Sequence, residues 1–465
     1  MNSTVITDIV KKNLCIGCGV CAAICPSHTL EMEWNLHGEY NPVKKMPCDK
    51  ECGMCLKVCP FAEGNDNEDC IGASLFGSIP RMCHLPQTGY YSDTYVGYAP
   101  ETREHGSAGG MATWLLSCLL KKGIVDYVVA VVPHDDPDQL FRFAILTDAK
   151  SVLDSSGSVY YPVELSGVLR QILEKQGKCA IIGLPCFIKA IRLAAQHNKK
   201  LRDRIVVTVG LVCGQYKSKF YTEYLSALAG VHEPLANVSF RRKNPEKPAN
   251  NYYFSCTGTK GGKGKVFWNE GASEAWVNRW FTQNACNYCD DIFAECADVT
   301  FMDAWLPEYV QDSKGTSLVL VRSAWIHDVI LEGIRSEEIH LEIIPVQKLV
   351  KSQSSGIEEK RIYLAHRLYQ DKINGVFSPH KRIKPIKITH PFQKKKLIIT
   401  DQMQRTSRDL WAEHYTKEFP VREKFHDQMN TYLDQVSRWN RIEMMCQLPL
   451  QFLGKTRKKI RRFFE

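Results

Sequence analysis

CIGCGVCAAICP, residues 15–26, and CDKECGMCLKVCP, residues 48–60, hold eight of the chain's nineteen cysteines in two runs that each end in Cys-Pro. Three thiolates in a tight loop can wrap three corners of an iron–sulfur cube, while the cysteine just before the proline reaches the neighbouring cube. The spacing therefore predicts two 4Fe–4S clusters, one on Cys15, Cys18, Cys21 and Cys59 and the other on Cys48, Cys52, Cys55 and Cys25. The second run has one extra residue between its first two cysteines, which leaves the number of ligands unchanged. A structural zinc would want a single closed tetrahedral set. Disulfides would want an oxidising compartment, and the amino-terminal MNSTVITDIVKKNLC has no apolar core followed by a small-residue cleavage site. The expectation is a cytoplasmic protein that moves single electrons.

Around this motif the chain has 465 residues, room for more than one core. Its 44% hydrophobic and 24% charged content is that of a globular protein. No run approaches the roughly 20 apolar residues that span a bilayer. The net charge of +9 is uneven, with KKKL at 394–397 and KTRKKIRRFF from Lys455 near the carboxyl end. No basic groove with interleaved aromatics suggests nucleic acid as a partner.

The fold class expected is α/β (α+β): a small two-cluster ferredoxin-like domain over residues 1–65, a linker over 66–90, a larger flavin-binding α/β domain over 91–350, and an extension over 351–465 ending in a basic helical tail. The polar AEGNDNEDC, 62–70, reads as linker. Beyond it, apolar runs of strand length alternate with helix-like segments: YVVAVV (127–132), FRFAIL (141–146), CAIIGL (179–184), IVVTVGLVC (205–213) and LVLVR (318–322). WLLSCLLKKG, 114–123, has helical spacing and a terminal glycine as stop signal. KNPEKPANN (243–251) and TKGGKGK (259–265) read as exposed turns or a hairpin tip.

Two further constellations lie in this middle part. HGSAGGMATWLL, 105–116, sets three glycines immediately before a helix, a loop suited to a phosphate or a flavin; by itself it also fits a tight turn. Cys186 in GLPCFIKAIR, Cys213 in GLVCGQ, and Cys286 with Cys289 in CNYC form a second cysteine set. The first two follow buried strands, at the edge where α/β sheets bind ligands. Such a four-thiolate set suits a third cubane cluster. Cys296 is a rival ligand, seven residues after Cys289, and His105 beside the glycine loop is a candidate proton donor. Cys70, Cys83, Cys118, Cys179, Cys256 and Cys446 carry no motif and read as free thiols.

The glycine loop, the G-x-PC turn, the GL-x-C strand end, and CxxC followed by ADVTFMDAW together resemble the family of coenzyme F(420) hydrogenase and dehydrogenase beta subunits over roughly residues 10–350. That family includes 7-hydroxymethyl chlorophyll a reductase, and its members are iron–sulfur flavoproteins. The resemblance implies FAD at Ser107, Gly109, Gly110 and Thr113, and a third cluster on Cys186, Cys213, Cys286 and Cys289. The chain departs from the family at Ala108, where a second serine is frequent, and at Met302, where glycine is usual; Asp303 and Trp305 of that segment remain.

Cubane clusters pass one electron at a time and flavins exchange one or two. The expected function is an oxidoreductase linking a one-electron carrier or redox partner protein to a two-electron acceptor or donor, a deazaflavin-like coenzyme or another organic molecule. The alternative is a non-catalytic subunit that relays electrons. The tail LPLQFLGKTRKKIRRFF, 448–464, combines apolar and basic residues as a peripheral membrane contact would, or as a terminal helix or a contact between subunits would.

Overall fold

The computed structural model describes residues 4–48, 52–416 and 421–447. The amino-terminal segment carries a hairpin, β1 (Leu30–Trp34) and β2 (Tyr40–Lys44), and a second follows as β3 (Cys83–Leu85) and β4 (Gly89–Tyr91). The next strands are β5 (Asp93–Tyr98), β6 (Tyr127–Pro133), β7 (Phe141–Leu146), β8 (Cys179–Gly183) and β9 (Ile205–Leu211). A separate antiparallel sheet holds β10 (Leu235–Arg242), β11 (Tyr253–Gly258) and β12 (Lys263–Phe267). Then β13 (Val299–Asp303), β14 (Ser317–Val321) and β15 (His340–Ile343) return to the main sheet.

That sheet has eight strands in the order β15-β5-β14-β13-β9-β8-β6-β7. Its middle is parallel, β13 to β9 to β8 to β6, and both flanks are antiparallel. All five apolar runs read as strands lie in it. Their near-continuous hydrophobicity follows from cover on both faces. Val128, Ala130, Ala180 and Val207 pack with the helices Met111–Lys121 and Ala324–Arg335. Tyr127, Val129, Cys179 and Ile181 point the other way, toward the helices Ser166–Glu174 and Pro185–His197. The fold is thus a mixed α/β layer with a small ferredoxin-like region at its amino terminus.

The helix expected over 114–123 spans Met111–Lys121, with Gly123 just past its end at φ +65°. KNPEKPANN connects β10 to β11, and the turn of TKGGKGK joins β11 to β12, whose strand already begins at Lys263. Within residues 66–90, Asn67 caps a helix, Glu68–Phe76, its side chain accepting from Cys70 N–H at 2.9 Å.

The ferredoxin-like segment does not stand apart. Val5, Ile9 and Val20 share one core with Leu165, Phe220 and the carboxyl-terminal Leu410, Phe425 and Met429. Leu165 N–H donates to Cys18 C=O at 2.9 Å, and Arg170 Nη2 donates to Ala22 C=O at 3.0 Å. From the other side come two long helices, Pro391–Thr416 and Val421–Gln447. Trp411 and Phe425 pack on Phe281, and Gln404 Nε2 donates to Thr282 C=O at 2.9 Å. The first of them also grips β1–β2: Arg408 Nε lies 2.9 Å from Glu39 Oε1, both side chains buried, and Asp409 meets His37 at 3.1 Å. Among the described residues no helix is long and apolar enough to cross a membrane. The apolar and basic stretch 448–464 lies outside the described residues.

Removing one partner of a buried ion pair leaves an uncompensated charge, which costs about 3 kcal/mol or more. Arg408→Met should therefore lower the denaturation midpoint clearly, and adding Glu39→Met should recover most of the loss. Urea unfolding of the two variants measures this, and equal midpoints for Arg408→Met and the unaltered protein would show that the pair does not hold the helix to the hairpin.

Candidate iron–sulfur and flavin site

Parallel strands end together, and the carboxyl edge of β8, β9 and β13 is where the second cysteine set is assembled. Cys186 is the second residue of the helix Pro185–His197, in the turn whose dipole favours negative charge. Cys213 lies two residues beyond β9; Cys286 sits in the middle of a short turn, Asn284–Tyr288, and Cys289 directly follows it. The thiols converge: Cys186 feels the charges of Cys289, Cys213 and Cys286, and Cys213 those of Cys286 and Cys289. Burial pushes the Cys213 thiol up to about 12, with Lys360 pulling against it. Burial raises Cys186 and Cys286 as well, and a bound metal cation would take the place of the proton on such a thiol.

Hydrogen-bond donors already face these sulfurs. Tyr216 N–H donates to Cys286 Sγ at 3.3 Å, and Lys360 Nζ donates to Cys289 Sγ at 3.1 Å and to Asp291 C=O at 2.6 Å. Lys360 is 2% exposed. Burial opposes its charge, yet the sulfurs of Cys289, Cys213 and Cys286 hold its pKa well above that of an ordinary lysine. Cys296 is elsewhere. It is fully buried among Glu68, Asp291, Lys189 and Glu295, and its carbonyl accepts from Arg192 Nε at 3.0 Å.

The amino-terminal thiols lie close to one another. Cys18 feels Cys59 and Cys15, Cys21 feels Cys18, Cys15, Cys59 and Cys55, Cys59 feels Cys15 and Cys55, and Cys55 feels Cys52 and Cys25. Cys25 Sγ lies 3.3 Å from Thr29 Oγ1. Cys48 is half-buried at the end of a described stretch, and Cys52 is exposed. Among the described residues no three His, Cys, Asp or Glu side chains close on a single metal ion.

Beside the second cysteine set lies a cavity of about 660 Å³, within the range of roughly 300–1,000 Å³ that small-molecule sites occupy. Ser107, Gly110 and Thr113 line one wall; Cys213, Gln215 and Tyr216 line another. Gly109 sits behind the wall, its N–H donating to Ser317 Oγ at 3.0 Å. A Cβ there would stand 2.5 Å from Gly97 O and 2.8 Å from Ser317 N, so only glycine lets the loop press on the ends of β5 and β14. Gly110 has φ +79° and starts the helix. Ser107 Oγ accepts from Ser158 N–H at 2.8 Å, and Lys243 Nζ donates to Ala108 C=O at 2.9 Å. His105 is exposed, and its carbonyl accepts from Ser156 Oγ at 3.1 Å.

Arg241, in the cavity wall, has no counterpart among the residues read from the sequence. Arg241 forms a two-pronged bond to Asp303, 2.8 Å on each arm, and donates to Ser107 C=O at 3.2 Å. Its guanidinium lies over the rings of Tyr252 and Trp305, at 4.6 and 5.3 Å, and its Nε is buried without a partner. Burial opposes this charge too, and Asp303 outweighs it. Met302 reaches the cavity wall from β13, where it pairs in register with Leu318. The residues present fit the groups expected: converging thiols, Cys286 buried and the other three half-buried, with N–H donors for a cluster, and a glycine-walled, aromatic-lined cavity with an unpartnered cationic nitrogen for an anionic planar cofactor.

Comparison with known proteins bears on the same segments. Residues 94–170 match the amino-terminal model, and residues 176–346 the carboxyl-terminal model, of the coenzyme F420 hydrogenase/dehydrogenase beta subunit. Residues 9–31 match a 4Fe-4S binding domain. The F subunit of the F(420)H(2) dehydrogenase of Methanosarcina mazei is 22% identical, over 45% of this chain and 55% of its own. The coenzyme F420-dependent sulfite reductase of Methanocaldococcus jannaschii is 23% identical, over 72% of this chain and 49% of its own. The chain thus spans about half the length of these two relatives. A chain of the F420-reducing [NiFe] hydrogenase complex from Methanosarcina barkeri has the same fold, with a TM-score of 0.50 at 18% identity, covering 64% of this chain and 100% of that one. The chain belongs to the family of coenzyme F420 hydrogenase/dehydrogenase beta subunits and carries a 4Fe-4S binding domain at its amino terminus.

Proposed function

We propose that this chain is an iron–sulfur flavoprotein oxidoreductase that links a one-electron carrier, through three 4Fe–4S clusters and FAD, to a two-electron acceptor or donor. The observation that carries the reading is one shared cavity, lined both by Cys213, one of four converging thiols, and by Ser107 and Gly110 of the glycine loop. When bound, the clusters supply one-electron steps and the flavin exchanges one electron for two.

The chain's own residues have definite tasks. Gly109 and Gly110 bring the loop against the sheet end, and Ser107 keeps its position through Ser158 and Arg241. Tyr160, Tyr252 and Trp276 wall the cavity with aromatic surface, which limits water at the reacting face. Arg241, aligned by Asp303, offers a fixed cation to an anionic or carbonyl group of the bound molecules. Lys360 and Tyr216 N–H donate to Cys289 and Cys286 Sγ, and such bonds would stabilise the more negative, reduced form of a cluster held there. The names of the M. mazei and M. jannaschii relatives refer to F420, which supports a deazaflavin-like coenzyme as the two-electron partner. The F(420)H(2) dehydrogenase relative is named as a subunit, as is the beta subunit of the F420-dependent formate dehydrogenase 1 of Methanococcus maripaludis, 32% identical over 25% of this chain and 29% of its own. This supports assembly with a redox partner protein.

Purified without oxygen, the full chain should hold about twelve irons and release one flavin on denaturation; about eight irons and no flavin would instead indicate a relay subunit. Cys186→Ser or Cys286→Ser should lower iron to about eight, whereas Cys296→Ser should leave it unchanged. Lys360→Met should lower the midpoint potential of the third cluster by roughly 60 mV or more, a tenfold change in a one-electron equilibrium, and Lys360→Arg should restore most of it. Redox titration followed by electron paramagnetic resonance gives these values, and an unshifted potential in Lys360→Met would remove the lysine from the account.

A further inference from the structure

Between the ferredoxin-like segment and the second cysteine set lies the stretch Val163–Glu164–Leu165, which leads into the helix Ser166–Glu174. Its Leu165 N–H donates to Cys18 C=O at 2.9 Å. The loop is seated directly on it: a Cβ at Gly19 would meet Glu164 Oε2 and lie 2.9 Å from Ser166 N. At the other end of the stretch, Val163 N–H donates to Tyr216 Oη at 2.7 Å, and Tyr216 O–H returns a bond to Val163 C=O at 3.1 Å. The same tyrosine's backbone N–H donates to Cys286 Sγ at 3.3 Å. Cys18 and Cys286 are therefore joined by short covalent stretches and three hydrogen bonds, none longer than 3.3 Å.

Tyr216 is placed for nothing else as obvious. It is 5% exposed, its ring edges against Phe187 at 5.7 Å, next in the chain to Cys186, and it also reaches the cavity wall. The two amino-terminal thiol groups differ in depth. In the first, Cys18, Cys21 and Cys59 are buried and Cys15 is half-buried; in the second, Cys52 is exposed, Cys48 and Cys55 are half-buried and Cys25 is buried.

Resting on the three-cluster reading above, we propose that Tyr216 is the bridge over which electrons pass between the cluster of Cys15, Cys18, Cys21 and Cys59 and the cluster of Cys186, Cys213, Cys286 and Cys289, and that the cluster of Cys25, Cys48, Cys52 and Cys55 is the outer one, facing the carrier. Each passage oxidises the inner ferredoxin-type cluster by one electron and reduces the third cluster by one. No bond is made or broken, and Tyr216 keeps its proton and holds no electron. Two passages supply the pair of electrons that the flavin takes up with protons from solvent.

The test uses the full-length holoprotein, mixed anaerobically with a reduced ferredoxin too large to enter the cavity, and followed by freeze-quench electron paramagnetic resonance. Tyr216→Phe keeps the ring and removes both hydroxyl bonds. Third-cluster reduction should slow ~10-fold, about 1.4 kcal/mol on the barrier, with iron content, potentials and the rate of ferredoxin-type cluster reduction unchanged; Tyr216→Leu should slow it further. An unchanged rate in Tyr216→Phe with all three clusters present overturns the bridge. Fewer than three clusters in the unaltered protein would instead overturn the cofactor reading beneath it. A second measurement leaves Tyr216 in place. Cys15→Ser should alter the magnetic coupling seen on the third cluster and Cys52→Ser should not, and the reverse result overturns the order of the clusters.

Discussion

Four ionisable sulfurs gathered at the edge of a sheet, one buried and three half-buried, need positive charge and hydrogen-bond donors close by, because an unpaired charge away from water is costly. Here Lys360 meets Cys289 directly, and Arg279 acts on Cys286. Much of what surrounds the sulfurs serves that requirement. Glu359 pairs with Arg279 and Arg367, and Arg367 with Asp401. Lys381 and Arg382 reach Asp290, next in the chain to Cys289. All of these cations except Arg279 come from residues beyond 346, where the match to the beta-subunit model ends. The carboxyl extension is thus built into the charge balance of the site and, through Arg408 and Glu39, into the seating of the ferredoxin-like hairpin.

The sheet was legible where burial on both faces writes an uninterrupted apolar run. β6, β8, β9 and β14 are such strands, whereas β7, at the sheet's edge, was legible despite the exposed Arg142 within it. β5 and β15 were not legible, since β15 is largely exposed and β5 reads as TYVGY, with a glycine at φ +155° interrupting the pattern. β13 was seen only as part of a motif. The helix and hairpin within residues 66–90 carry polar, turn-rich sequence, and their order comes from contacts with distant residues, as when Arg382 meets Asp69 at 2.7 Å.

For the site, cysteine spacing was informative because the ligand loop of a cube is local in sequence. The thiols of Cys186, Cys213, Cys286 and Cys289 are brought together by strand order, which spacing does not contain, and there the family resemblance supplied the grouping. Cys296 looked eligible by distance along the chain, yet the turn after Cys289 carries it into the ionic cluster of Glu68 and Lys189. Arg241, Tyr216 and Lys360 belong to no motif. Their roles depend on what they touch across separations of 62, 70 and 71 residues. A buried basic residue in a polar stretch leaves no periodic trace.

The central claim is that the thiols at the carboxyl edge of β8 and β9 hold a third cluster beside the glycine-loop cavity. Anomalous scattering at the iron edge from crystals grown without oxygen tests it most directly. The account predicts three iron centres, one of them bonded to Cys186, Cys213, Cys286 and Cys289 and bordering the cavity lined by Ser107. Only two iron centres, or a third bonded to Cys296, would contradict it.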